Sequence, residues 1–231
     1  MQSEWYVGEA DDTGEALYDA DALFDEEPRF VTFNGRTDAL DNDPGGQFPS
    51  PAMAISKKGF EAVVANNLTG GFLMMREVFV QSMQDHGGAI VNMTADFRNG
   101  MPGMAHSGAA RAGMDNLTKS AAFEWAHAGV RVNAVAPGWI ASSGMDTYRG
   151  AVQAMIPKLK KHVPLRRLGA EAEVSAAIVF LLSPAAAFVT GVTLRIDGGA
   201  PLGSALFPLG DDARSEPFDG FHRAVTPEIL K

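Results

Sequence analysis

Four polar side chains, Ser107, Arg111, Asp115 and Lys119, recur every four residues within HSGAARAGMDNLTKSAAFEW. That interval lines a hydroxyl, a guanidinium, a carboxylate and an ammonium along one face of a helix. His106 precedes the row and brings a side chain that titrates near neutrality, although a lone histidine also suits a surface or hydrogen-bonded structural place. Asp115 and Lys119 read as an i,i+4 ion pair, a stabilisation of about 0.3 kcal/mol. Asn67 lies inside an apolar helical stretch, where an amide needs a hydrogen-bond partner or a task. The histidines at 86, 106, 127, 162 and 222 have no zinc-ligand spacing, and the absence of cysteine excludes thiolate chemistry and disulfides.

The elements that must position these groups follow from periodicity. His106 to Gly138 reads as a long helix, a turn centred on Gly129, and a strand from Val130 to Ala136 closed by Pro137-Gly138. VRVNAVA is almost continuously apolar and β-branched, as in a parallel strand buried on both faces. Ala110, Met114, Leu117 and Ala121 give the helix an apolar stripe beside its polar row. Gly108, Ala109, Ala112 and Gly113 crowd its first turns, so something must approach that backbone closely. Gly59 to Gln84 has the spacing of a second long helix, Glu171 to Leu182 of a third, and Ala89 to Met93 and Val192 to Ile196 of further strands. A strand near Ala39 is spoiled by Asp41.

A chain of 231 residues that is 46% hydrophobic can bury one sizeable α/β core. A formal net charge of −9 disfavours nucleic acid and anionic membranes as partners. No apolar run reaches the length of a membrane span and no signal-peptide pattern opens the chain, so a cytoplasmic protein is expected. Residues 1–34 stand apart: between Glu9 and Glu27 there are nine carboxylates and no lysine or arginine, the pattern of a solvated helix face or an arm. A core over 35–200 and a Pro/Gly-rich tail over 201–231 complete the expected organisation.

HSGAARAG…NLTKS…EW together with VRVNAVAPGWI resembles the short-chain dehydrogenase/reductase family, and within it the branch of the peroxisomal trans-2-enoyl-CoA reductase, over about Gly35 to Gly199. The resemblance implies a Rossmann-like, doubly wound α/β fold with a parallel sheet, here N-terminally incomplete. It also implies an NADP or NAD cofactor, an acyl-CoA or other small-molecule substrate, and a homo-oligomer. The family's Tyr-x-x-x-Lys pair becomes Ser107 and Arg111, with His106 adjacent. Its relay asparagine, seated at a local helix distortion, becomes Asn67. Its catalytic serine becomes Ala95, which cannot donate a hydrogen bond, with Thr94 beside it. On the cofactor side, Asn42 and Gly45 stand for the Asn-Asn-Ala-Gly turn, with Asp43 and Pro44 departing from it, so that a plain Asx/Pro/Gly turn is equally open. Pro137, Gly138, Ile140 and Ser142 stand for the nicotinamide-side segment, and Thr94 and Arg111 complete the set. Met145, Tyr148, Met155, Ile156 and Leu159 are expected to line an acyl pocket.

The family's Gly-rich phosphate turn has no counterpart in residues 1–34. The expectation is therefore that this chain binds dinucleotides weakly. Three readings stay open: a reductase of enoyl-CoA or related substrates, a non-catalytic relative that binds or builds an oligomer, and a sequence whose first 34 residues are not native to the domain.

Overall fold

A computed structural model describes residues 37–43, 46–148, 150–202, 210, 214–218 and 227–230. The acidic segment, the turn residues Pro44 and Gly45 and most of the tail lie outside these residues. Four strands, β1 (Ala39–Asn42), β2 (Gly88–Met93), β3 (Val130–Pro137) and β6 (Thr193–Ile196), form one sheet in the order β1-β2-β3-β6. Every pairing is parallel, with Ala39 opposite Ala89, Gly88 opposite Val130 and Ala134 opposite Thr193. Two short strands, β4 (Ile140–Ala141) and β5 (Gly169–Ala170), pair separately. Asp41 does not spoil β1: it pairs with Val91 at an exposed position of the strand, although burial still raises its pKa with Asp43 nearby.

The first helical stretch runs without a break from α1 (Lys57–Val64) through a π segment (Ala65–Gly70), α2 (Gly71–Val78), a second π segment (Phe79–Met83) and α3 (Gln84–His86). Ser56 caps it, accepting the Gly59 N–H at 3.0 Å. The helix carrying the polar row, α4, spans Ala105–Glu124. Gly129 ends the turn after it in the left-handed region, φ 72°, a conformation other residues reach only with strain. A short helix, α5 (Gly150–Met155), precedes α6 (Glu171–Leu182), whose Glu173 reaches back to accept the Ala170 N–H at 2.8 Å.

Alternation along the strands builds a core on each face of the sheet. Ile90, Val130 and Val132 pack with Met75, Val78, Met83, Ala121 and Ala122 of the first helical stretch and α4. Val91 and Val135, of opposite parity, pack with Val174, Ile178 and Leu181 of α6. The sheet is thus covered by helices on both sides, which makes the fold α/β and doubly wound. Among the described residues no helix is long and apolar enough to cross a membrane.

Met145, Ile156 and Leu159 do not line an open pocket. They form a third small core with Tyr148, Leu168, Ile229 and Leu230, while Met155 is exposed. The partners at the chain's end, more than sixty residues downstream, close that space.

Candidate functional site

The carboxyl ends of β1, β2 and β3 meet the first turns of α4 and the first π segment. This is the edge at which open parallel sheets hold ligands. α4 and the π segment come close because Gly113 has no side chain: a Cβ there would lie 2.9 Å from a Leu68 methyl. Gly108 likewise makes room for Met101 at 3.2 Å. Gly108 and Gly113 are therefore explained by neighbouring side chains.

Asn67 sits within the π segment, fully buried. A π turn draws backbone N–H groups away from the i−4 carbonyls, and Asn67 Nδ2 takes the Val63 carbonyl at 2.9 Å in their place. The same nitrogen donates to the Gly46 carbonyl at 2.6 Å. Asn67 Oδ1 is buried without a partner.

His106 and Ser107 are also fully buried. His106 Nδ1 accepts the Ser107 N–H at 2.8 Å, and the Phe48 ring meets the imidazole edge-on at 4.5 Å. His106 Nε2 makes no well-aligned hydrogen bond, and burial holds the imidazole below its ordinary pKa, opposed by weak bonding to the Met104 and Phe48 backbone. Ser107 donates its hydroxyl to Gln47 Oε1 at 2.6 Å. One turn along, Arg111 Nη1 donates to the Met93 carbonyl at 2.9 Å, which brings the guanidinium to the end of β2. Arg111 Nε is buried and unpartnered; burial lowers the pKa of the guanidinium, and only the Asp43 carboxylate pulls the other way.

Not every expected site residue offers a group to the cleft. Asn42 is buried and donates to Gly71 O at 2.9 Å and Asn92 Oδ1 at 2.8 Å, stitching β1 to α2 and β2. Thr94 spends its hydroxyl on the Val135 carbonyl at 2.8 Å. The Pro137 carbonyl accepts the Asp96 N–H at 3.2 Å, and the Gly138 N–H donates to Ile196 O at 3.0 Å. Ile140 is paired with Gly169, and Ser142 opens the turn over 143–147 without a side-chain capping bond. Gly45 lies outside the described residues.

Asp115 and Lys119 form the expected ion pair, and Asp115 also accepts the Thr193 hydroxyl at 2.5 Å. Burial raises the Asp115 pKa, but the Lys119 and Thr193 bonds outweigh it and the carboxyl titrates below its ordinary range.

The loop over residues 46–50 escaped sequence reasoning, although three of its residues touch the site. Gln47 and Phe48 follow two glycines, a pattern that reads only as a turn. Asp96, two residues beyond Thr94, was also missed. One of its oxygens is buried without a partner, and burial raises its pKa against the pull of Arg195.

Known proteins carry the same pattern. The family described as Enoyl-(Acyl carrier protein) reductase matches residues 21–201. The peroxisomal 2,4-dienoyl-CoA reductase of Pongo abelii is 40% identical over 169 residues, 72% of this chain and 57% of the relative. This chain thus spans little more than half the length of that curated relative. Among solved structures, the citronellol catabolism dehydrogenase (AtuB) of Pseudomonas aeruginosa PAO1 is 61% identical, with a TM-score of 0.61 over 71% of this chain and 62% of that one. A putative 2-deoxy-d-gluconate 3-dehydrogenase from Agrobacterium tumefaciens with bound NADP is 30% identical, with a TM-score of 0.65 over 71% and 67% of the two chains. With four parallel strands flanked by helices and a family match over most of its length, the chain belongs to the short-chain dehydrogenase/reductase family of oxidoreductases.

Proposed function

We propose that the chain reduces the carbon–carbon double bond of an enoyl-CoA or related carbonyl-conjugated substrate with NADPH or NADH. The observation that carries this reading is where the structure leaves hydrogen-bonding capacity unused. Among the described residues five buried side-chain atoms lack a partner, and three of them are Asn67 Oδ1, His106 Nε2 and Arg111 Nε. Buried polar atoms are seldom left so, and these three lie on the elements that meet at the carboxyl ends of the strands, which supports a polar binding site there.

The described residues fit the nicotinamide and ribose half of a dinucleotide. Arg111 would hold ribose hydroxyls through its unused Nε–H, and Pro137 to Ser142 would border the nicotinamide. When bound, the dinucleotide supplies a hydride that adds to the β-carbon of the substrate, while a proton is added at the α-carbon. Arg111 keeps a positive charge beside the enolate oxygen, Asn67 Oδ1 accepts from an ordered water, and neutral His106 offers Nε2 to the same chain of bonds. The pyrophosphate has no such seat in the described residues.

A cytoplasmic setting suits the acidic composition. A homo-oligomer suits the apolar groups left exposed on α6 and the β6 edge, including Val179, Phe180, Val192 and Leu194. One observation favours the alternative, a non-catalytic subunit: Thr94 and Ser107 have both committed their hydroxyl protons, and Ala95 has none.

The test is NADPH or NADH oxidation by the purified chain with trans-2-hexenoyl-CoA. Turnover that disappears in Arg111→Met supports the reductase. Dinucleotide binding without turnover supports the subunit. Binding itself is expected to be millimolar at best, since a few hydrogen bonds of about 1 kcal/mol each must offset an association cost on the order of 4–15 kcal/mol. Calorimetric titration reads it directly.

A further inference from the structure

Asn92 lies in β2 two residues beyond Ile90, on the face that packs against the first helical stretch and α4. An apolar residue there would have extended the core. The chain instead buries an amide completely and satisfies both of its ends. Asn92 Oδ1 accepts from Asn42 Nδ2 at 2.8 Å, and Asn92 Nδ2 donates to Thr118 Oγ1 at 2.9 Å, with Met75 Sδ at 3.6 Å. Each neighbour passes the link on. Asn42 Nδ2 also donates at 2.9 Å to the carbonyl of Gly71, the first residue after the π segment that holds Asn67. Thr118 lies on α4 two turns beyond Arg111 and donates to the Met114 carbonyl at 2.9 Å. We infer that Asn92 is a positioning residue: its amide joins the two helical elements that carry Asn67 and Arg111 and fixes the separation of those side chains. This inference rests on the reading of that pair as part of the reductase site.

Three features support it. Arg111 is tied to the sheet through its Nη1 bond to the Met93 carbonyl at 2.9 Å, so its place follows that of α4. Met93 is the next residue along β2, so adjacent residues of one strand grip α4 at Arg111 and again two turns later at Thr118. Second, α4 and the π segment also meet where Gly113 faces Leu68, but apolar contact is non-directional. A hydrogen bond fixes both distance and angle. Third, both neighbours would keep a bond without the amide: Asn42 the Gly71 carbonyl, and Thr118 the Met114 carbonyl. Removing Asn92 therefore acts on alignment more than on hydrogen-bond satisfaction.

The reporter is the Nε–H resonance of Arg111 in the chain labelled with nitrogen-15 arginine, assigned through Arg111→Met. Asn92→Leu removes the amide at similar volume, Thr118→Val cuts only the link to α4, and Thr118→Ser keeps the hydroxyl. The first two should shift the resonance, and Thr118→Ser should leave it as in the unaltered chain. Asn133→Ala, which loosens the opposite end of the sheet, should also leave it in place. A shift in Asn133→Ala as large as in Asn92→Leu would mean a general loosening of the fold and overturns the inference. In turnover of trans-2-hexenoyl-CoA with NADPH, the two cutting variants should lose about tenfold in kcat while KM changes by less than about twofold, because misalignment acts on the reaction step. An Arg111 resonance unmoved in both variants overturns the inference, as does a raised KM with kcat unchanged. If Asn92→Leu does not fold, Thr118→Val and Thr118→Ser decide alone. Absence of turnover by the unaltered chain overturns the reductase reading, while the resonance still decides whether Asn92 places Arg111.

Discussion

Two arginines serve opposite ends of this molecule. Arg131, near the start of β3, donates from Nη1 to the Leu181 and Val189 carbonyls at 2.7 and 3.4 Å, and from Nη2 to Leu182 and Ser183 at 3.3 and 3.2 Å. It covers the carbonyls that α6 leaves open at its C-terminus, where the helix dipole also favours a cation. Arg111, at the opposite edge of the sheet, is more deeply buried, yet has one carbonyl bond and an idle Nε. Two asparagines repeat the contrast. Asn133 uses both ends of its amide, on Val189 O at 2.9 Å and the Val192 N–H at 3.2 Å, whereas the oxygen of Asn67 is unused. One end of the sheet spends its polar groups on holding the fold; the other keeps some in reserve.

The contrast can be broken most directly at the arginines. Arg131→Met is expected to cost about 3 kcal/mol of stability, since it strands several helix-terminal carbonyls, and the loss would appear as a lowered denaturation midpoint. Arg111→Met should change stability by less than about 1 kcal/mol, because an apolar chain of similar size replaces a poorly partnered buried charge. In that variant, reductase turnover should still fall by about a hundredfold or more. Equal stability losses in the two variants would erase the distinction.

The asparagines sharpen it. Asn133→Ala is expected to destabilise by about 2 kcal/mol and Asn67→Ala by about 1, since the second substitution also removes an oxygen that had nothing to bond. Urea titration of both variants checks the order.

The smallest effect concerns pH. Folding lowers the pKa of His106 below its ordinary 6.5, so the unfolded chain takes up the proton first. Stability is full above that value and declines as pH falls from it toward the folded pKa. His106→Asn should flatten this decline below pH 6.5, read as a weaker pH dependence of the denaturation midpoint. An unchanged slope would mean that His106 titrates normally.

Much of the scaffold was legible in the residues themselves. Strands rich in Val and Ile declare burial on both faces, and Glu171 to Leu182 forms a helix with the bounds its composition predicts. The turn at Gly129 follows from a left-handed position that glycine alone fills without strain. What was hidden depends on contacts between distant segments. Asp41 was misjudged because its place in the strand is exposed, and β1 is the last strand of the sheet among the described residues. The 143–163 segment was misjudged because Ile229 and Leu230 close over it. Gln47 was missed because its place beside the site depends on a contact with Ser107, sixty residues away. The bonds made by Asn42 and Thr94 are likewise long-range, so residue type alone could not show which scaffold partners they take.

The first helical stretch carries two π segments, Ala65–Gly70 and Phe79–Met83, within a single continuous rod. Each π turn behaves as a one-residue insertion tolerated by a helix, and every residue beyond it is rotated by about 100° relative to an uninterrupted α-helix. The two offsets set the angular phase at which Met75, Val78 and Met83 meet the sheet. Deleting one residue between 65 and 70 would therefore regularise the local hydrogen bonds and at the same stroke swing Met75 and Val78 away from Ile90. This helix should accept substitutions readily at its exposed positions and yet refuse single-residue deletions, an asymmetry that an insertion and deletion scan would expose.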